Sequence, residues 1–269
     1  ATRYAPRGKL GAATGIVYTG VGVGILLSGS LVPWLLKFGI AIAWTGIGVV
    51  GAVAFLVALW GWCALEDKNS DGFSPNSPHP KIQWNLTVSG LIATRALFSI
   101  GLIPHTIYWV DFLVRGLGNQ IEFGGMHWML FGLGAIGGTY LWGRLADRLG
   151  FRAGLVLAFG AVASGIALPV LNSACWALVA SSLVVGAQPG LTAIMSGRFH
   201  QLMGPDRMAP VWRMSALIST ILQAIFAYGY VTIFDLTGNY LPIFIVGSTS
   251  MAIGAIIALT LRNPVKGMK

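Results

Sequence analysis

Three ionisable side chains stand inside one long apolar run: Arg95, His105 and Asp111, all within residues 84–112. Ionised groups are expensive in hydrocarbon, so residues of this kind mark functional positions by default. Arg95 has the planar fork that holds an anionic group in two hydrogen bonds; its other reading is a structural pair or a side chain snorkelling to the interface. His105 follows Pro104, whose ring frees a backbone carbonyl and kinks a helix. It can exchange protons near neutral pH or serve as a hydrogen-bonded packing group. Asp111, close to Trp109 and Arg115, reads as an interfacial anchor or as half of a gating ion pair. At about 100° per residue the three do not share a helix face, so each needs partners on other helices. Among uncharged groups, Gln188, Trp212, Gln223 and Tyr228 are the candidates for contact with a solute. Pro189 and Gly190 can break their helix and turn backbone polar groups toward a cavity.

A second cluster is charged: Gly143-Arg-Leu-Ala-Asp-Arg-Leu-Gly-Phe-Arg152, lying between two apolar segments. Arg144, Asp147, Arg148 and Arg152 cannot enter hydrocarbon, so the cluster is a tight polar turn at a membrane surface. Gly143 and Gly150 suit a sharp turn and close helix approach. The chain carries no nucleophile–base pair, HExxH motif, paired catalytic carboxylates or phosphate loop, and no enzyme activity is expected. Gly20-Val-Gly-Val-Gly lies inside an apolar run, with no preceding strand and no acidic residue about 20 positions on, so it is not a dinucleotide site. Close helix packing explains it better. Cys63 and Cys175 lack metal-ligand spacing. Neither a cofactor nor a metal is expected.

These groups are positioned by membrane helices. Only 9% of the 269 residues are charged and 55% are hydrophobic, with a mean hydropathy of +0.75; a soluble domain carries about 25% charge. The net charge of +9 is scattered over short loops rather than gathered on one face, which argues against a nucleic-acid partner. The expected fold is all-α, a polytopic bundle of eight transmembrane helices near 10–33, 41–64, 84–112, 125–143, 153–172, 175–197, 211–233 and 240–261. Each is long enough for a hydrocarbon core of about 30 Å. Residues 65–82, with Pro75, Pro78 and Pro80, read as a polar linker. Eight spans put both ends on one side. That side carries all but three of the 17 lysines and arginines, the exceptions being Lys37, Arg115 and the intramembrane Arg95. The positive-inside rule then makes both termini cytoplasmic. Asn85-Leu-Thr87, a glycosylation sequon in form, falls on the cytoplasmic side and should be unused.

The spacing Gly-x-Leu-x-Asp-Arg-x-Gly-x-Arg over Gly143–Arg152 resembles the loop signature of the major facilitator superfamily, departing at Phe151, where a basic residue is common. Gly20, Gly22, Gly24, Gly29 and Pro33 resemble that superfamily's Gly/Pro-rich fifth helix. Arg7-Gly8, Ile103–Asp111, Trp128–Gly138, Gly186–Gly190, Gly197-Arg198 and Gln223–Tyr228 are similar to its bacterial YbfB/YjiJ branch. The resemblance implies that 1–64 corresponds to the last two helices of an N-terminal half, 65–82 to the central cytoplasmic linker and 83–269 to a six-helix C-terminal half, with four leading helices absent. It also implies that Gly143, Arg144, Asp147, Arg148, Gly150 and Arg152 help to hold the cytoplasmic side closed.

Two functions follow. One is secondary transport of a small solute across a bacterial inner membrane, with membrane lipid and the solute as partners. The other is a transport-inactive subunit that scaffolds a larger membrane complex, other subunits covering the face left by the absent helices.

Overall fold

The computed structural model describes residues 10–63 and 82–261, with side chains over 19–61, 63, 82–204 and 207–261. Arg7-Gly8, all of the 65–82 linker but Ile82, and the basic residues Arg262, Lys266 and Lys269 lie outside the described residues.

Among the described residues the regular structure is helical. The elements are α1 (Leu10–Leu36), α2 (Ile40–Cys63), α3 (Leu86–Thr106), α4 (Trp109–Asp111), a π-helical turn (Phe112–Gly116), α5 (Ile121–Leu149), α6 (Phe151–Leu171), α7 (Cys175–Gly186), α8 (Pro189–Thr237) and α9 (Leu241–Thr260). Seven stretches are long and apolar enough to cross a membrane: Thr19–Leu36, Ile40–Gly61, Leu86–Gly116, Phe151–Leu171, Cys175–Gly204, Arg207–Thr237 and Leu241–Thr260. The eighth long helix, α5, has 29 residues and at 1.5 Å per residue reaches about 43 Å. Its glycines, His127 and terminal charges make it the least apolar of the set. The molecule is a polytopic helical bundle.

Three elements depart from the expected spans. The long run through 84–112 is not one helix: α3 ends at Thr106, two residues past Pro104, and the chain resumes as α4 and the π-helical turn. The span expected at 175–197 breaks at Ala187-Gln188, where Pro189 opens the next helix. Residues 198–210, expected to be a loop, are helical and belong to α8, which kinks at Gly204 (φ +72°). Arg198 is accordingly no loop residue; it is 1% exposed and donates to Gln201 Oε1 at 2.7 Å and to the Leu261 carbonyl.

The buried centre is formed by α3, α5, α6, α7, α9 and the first part of α8, with Leu91, Trp109, Phe131, Phe159, Phe199 and Phe244 in one apolar cluster. Here α3 packs on α8 and α9, α6 on α9, and α5 on α7. On the outside, α1 lies along α5, and α2 rests chiefly against α1. Apolar side chains such as Trp44, Phe55 and Trp60 on α2 are exposed, as a lipid-facing surface requires.

Small residues set the closest approaches. A Cβ on Gly22 would stand 2.8 Å from the Gly132 carbonyl, and one on Gly132 would stand 2.9 Å from the Gly22 carbonyl. Gly29 and Gly125 repeat the relationship seven residues away on each helix, so α1 and α5 run antiparallel at backbone contact. Gly20 and Gly24 have nothing within 4 Å. Of the Gly-x-Gly-x-Gly run, only the middle glycine lies in the helix seam.

Candidate functional site

Arg95 and Trp212, from helices joined only through the long chain between them, are brought together. The Arg95 guanidinium carbon stands 3.8 Å from the centroid of the Trp212 ring, and its Nη1 donates to Ser215 Oγ at 3.5 Å. Trp212 also meets the Phe199 ring edge-on, with centroids 5.1 Å apart. Arg95 is half-buried, and a guanidinium over an indole face gains about 0.5–2 kcal/mol, so α3 and α8 together hold the cation. Arg95 is nine residues from the start of α3, about 13 Å along its axis.

His105 takes a different environment. It is fully buried, its ring stacked on Trp109 with centroids 4.4 Å apart and met edge-on by Phe244 at 5.6 Å. Its Nε2 lies 2.8 Å from Ser181 Oγ. Beside it is a residue missing from the sequence analysis, His127 on α5. His127 is also fully buried, with Nδ1 2.9 Å from Ser182 Oγ, the same hydroxyl that accepts from Trp109 Nε1 at 3.1 Å. Successive serines of α7 thus serve histidines on α3 and α5. An ionisable residue within the expected 125–143 span was the available signal.

Asp111 faces a third direction. Its carboxylate accepts a hydrogen bond from Tyr240 and pairs with Arg115 at 3.4 Å. Burial and the bond to Asp111 push the Tyr240 phenol up to about 12. Tyr240 and Arg115, with Asn239, Phe234 and Ser173, line a polar cleft of about 440 Å³ beside Asp111.

The remaining solute-contact candidates are not assembled with these. Gln188 is half-buried at the turn between α7 and α8, and Gln223 is half-buried on the second part of α8. Tyr228 is 76% exposed, on a stripe with Leu217, Ile221 and Ile225 that lies on the outer surface.

The charged cluster, expected to be a turn after a span ending at 143, is instead mostly helical: residues 143–149 form the last two turns of α5, Phe151 and Arg152 open α6, and Gly150 alone lies between them. Gly150 caps both helices with φ +86° and ψ 154°, a conformation essentially confined to glycine. Arg144 lies over the Tyr140 ring at 4.5 Å. Arg152 donates to the Leu259 carbonyl, one of the acceptors that the C-terminal turn of α9 leaves unpaired. Arg148 is exposed and Asp147 largely so, and the protein that covers the rest of the Asp147 carboxyl raises it above its ordinary value. Phe151, the position departing from the superfamily signature, lays its ring against Gly197 of α8.

A family model described as "Uncharacterised MFS-type transporter YbfB" matches residues 4–259. The chain belongs to the YbfB family of MFS-type transporters. No curated protein matches it. Membership of the YbfB family makes this a multi-pass chain of the membrane-transport class, surrounded by lipid and acting on a small solute.

Proposed function

We propose that the chain carries a small solute with an acidic group across the bacterial cytoplasmic membrane, with Arg95 as the residue that holds that group. The supporting observation is the position of Arg95 against Trp212 and Ser215, about halfway through a hydrocarbon core of about 30 Å. Secondary transporters place their sites at that depth, where two groups of helices rock against each other. In this reading 83–269 acts as one six-helix unit and 1–64 belongs to the other, so the glycine seam between α1 and α5 is where the units meet. Gln188 and Gln223 border the pathway. The Gly143–Arg152 turn is the cytoplasmic gate, and both termini are cytoplasmic. By the antiparallel register of the seam, the gate lies towards the Leu10 end of the described part of α1.

The test is uptake of a panel of small organic anions by cells producing the full reading frame. At least one should accumulate with the wild type and not with Arg95→Ala. Equal accumulation by both would remove Arg95 from the pathway.

A second reading, a transport-inactive subunit of a larger complex, draws on the exposed stripe Leu217, Ile221, Ile225 and Tyr228. It predicts no flux in proteoliposomes and stable co-purification with other membrane subunits.

A further inference from the structure

At the end of the bundle away from the Arg144–Arg152 turn, α1, α3, α4 and α5 line an open cavity of about 240 Å³. Its walls are mostly apolar, with Val32 and Pro33 from α1, and Trp109 and Trp128 on the other sides. His105 forms part of the lining, and its Nδ1 is fully buried with no hydrogen-bond partner among the described residues.

The tautomer follows from the neighbouring serine. Ser181 Oγ donates its single hydrogen to the Gly165 carbonyl at 2.7 Å, so towards His105 it can only accept. Nε2 therefore carries the proton, and Nδ1 presents a bare lone pair. The ring cannot turn to relieve it, held as it is between Trp109 and Phe244. A buried acceptor left unmade is costly, whereas a ligand that supplies the missing donor recovers the loss. An N–H of Trp128 is not available for this, since it is given to Ser28 Oγ at 3.1 Å.

We propose that this cavity is a binding site for a small neutral molecule with an apolar, planar body and one O–H or N–H donor, which bonds to His105 Nδ1 once the side chains that cover this buried nitrogen shift aside. Aromatic walls and the near absence of other polar groups exclude a sugar or a free carboxylate. The site is separate from Arg95, ten residues earlier on α3, and stands whether or not Arg95 holds the transported solute. A ligand seated here touches α1, α3 and α5 next to the Gly29–Gly125 contact, so it bridges the seam and holds α1 in place.

The test uses 4-fluorophenol and 4-fluorotoluene, which share a shape and differ in the donor. Binding to the full chain in lipid nanodiscs is followed by fluorine NMR, with empty nanodiscs correcting for partition into lipid. The wild type should bind the phenol roughly three- to tenfold more tightly. His105→Phe, which keeps an aromatic ring, should bind both probes equally. Ile107→Trp, at an exposed position of the lining, should lose both, and this arm stands even if His105→Phe does not fold. Equal wild-type affinities, a phenol preference retained by His105→Phe, binding retained by Ile107→Trp, or no saturable binding above empty nanodiscs would each overturn the proposal.

Discussion

The carbonyl oxygen of Gly29 lies 2.9 Å from the point a Cβ would occupy on Gly125, and the Gly125 carbonyl lies 3.0 Å from the same point on Gly29. Each glycine is required by the other's backbone. Gly22 and Gly132 stand in the same relation one heptad away, and the two pairs join α1 to the rest of the bundle. In lipid there is no hydrophobic drive to bring helices together, so close backbone approach and dispersion must supply the attraction.

Gly132→Val would place a branched side chain where a Cβ alone would be 2.6 Å from the Leu26 backbone nitrogen. Overpacking of this kind costs about 1–3 kcal/mol. The variant should show a lower Tm in detergent and lose crosslinking between α1 and α5. Gly20→Ala and Gly24→Ala have open space around them and should leave both measurements unchanged or gain up to about 1 kcal/mol from helix propensity.

Arg95→Lys keeps the charge and loses the planar stack on Trp212. If the guanidinium is what matters, uptake falls as far in Arg95→Lys as in Arg95→Ala, while Trp212→Phe, with a weaker ring face, retains part of it. Initial rates over a range of solute concentrations check this, with the loss expected mainly in KM.

Gly150→Ala tests the turn rather than the packing, because nothing lies within 4 Å of the position and only the backbone conformation opposes a side chain. A loss of about 1–3 kcal/mol is expected, read as a lower Tm. An unchanged Tm would mean that the turn adapts.

The raised carboxyl of Asp147 gives a pH signature outside the membrane. Its native pKa lies above the ordinary value of 3.8, so the native state holds the proton more tightly than the unfolded chain does. The resulting stabilisation is present at low pH and is lost as pH rises through the native pKa. Asp147→Asn should remove that part of the pH dependence, seen as a flatter Tm profile across the acid range. A wild-type profile identical to that of Asp147→Asn would contradict the burial effect.

Much of the architecture was legible because hydropathy is a property of whole segments. Eight long apolar runs were visible, and the bundle class followed from them. Local breaks were less visible. Pro33 stays within α1 and Pro104 within α3, close to their C-terminal ends, where each frees one carbonyl four residues earlier and little helix remains to be kinked, whereas Pro189 opens a new helix, where no N–H is needed. Residues 198–210 looked like a loop because of their charges, yet Arg198 satisfies itself on the Leu261 carbonyl and Gln201 and so remains in a helix. The pairing of Arg95 with Trp212 depends on how α3 meets α8, which no spacing along the chain encodes. His127 was legible in principle, as a titratable group in an apolar segment; its partnership with Ser182 was not.

Labelling at the two ends of the bundle is the most direct test of the whole reading. In a chain with Cys63 and Cys175 replaced by serine, Arg148→Cys and Asn239→Cys put single thiols at exposed positions on opposite sides. A membrane-impermeant maleimide should reach Asn239→Cys in intact cells and Arg148→Cys only in inverted vesicles. Labelling of Arg148→Cys from outside would place the Gly143–Arg152 turn on the wrong face, and its role as a cytoplasmic gate would be lost.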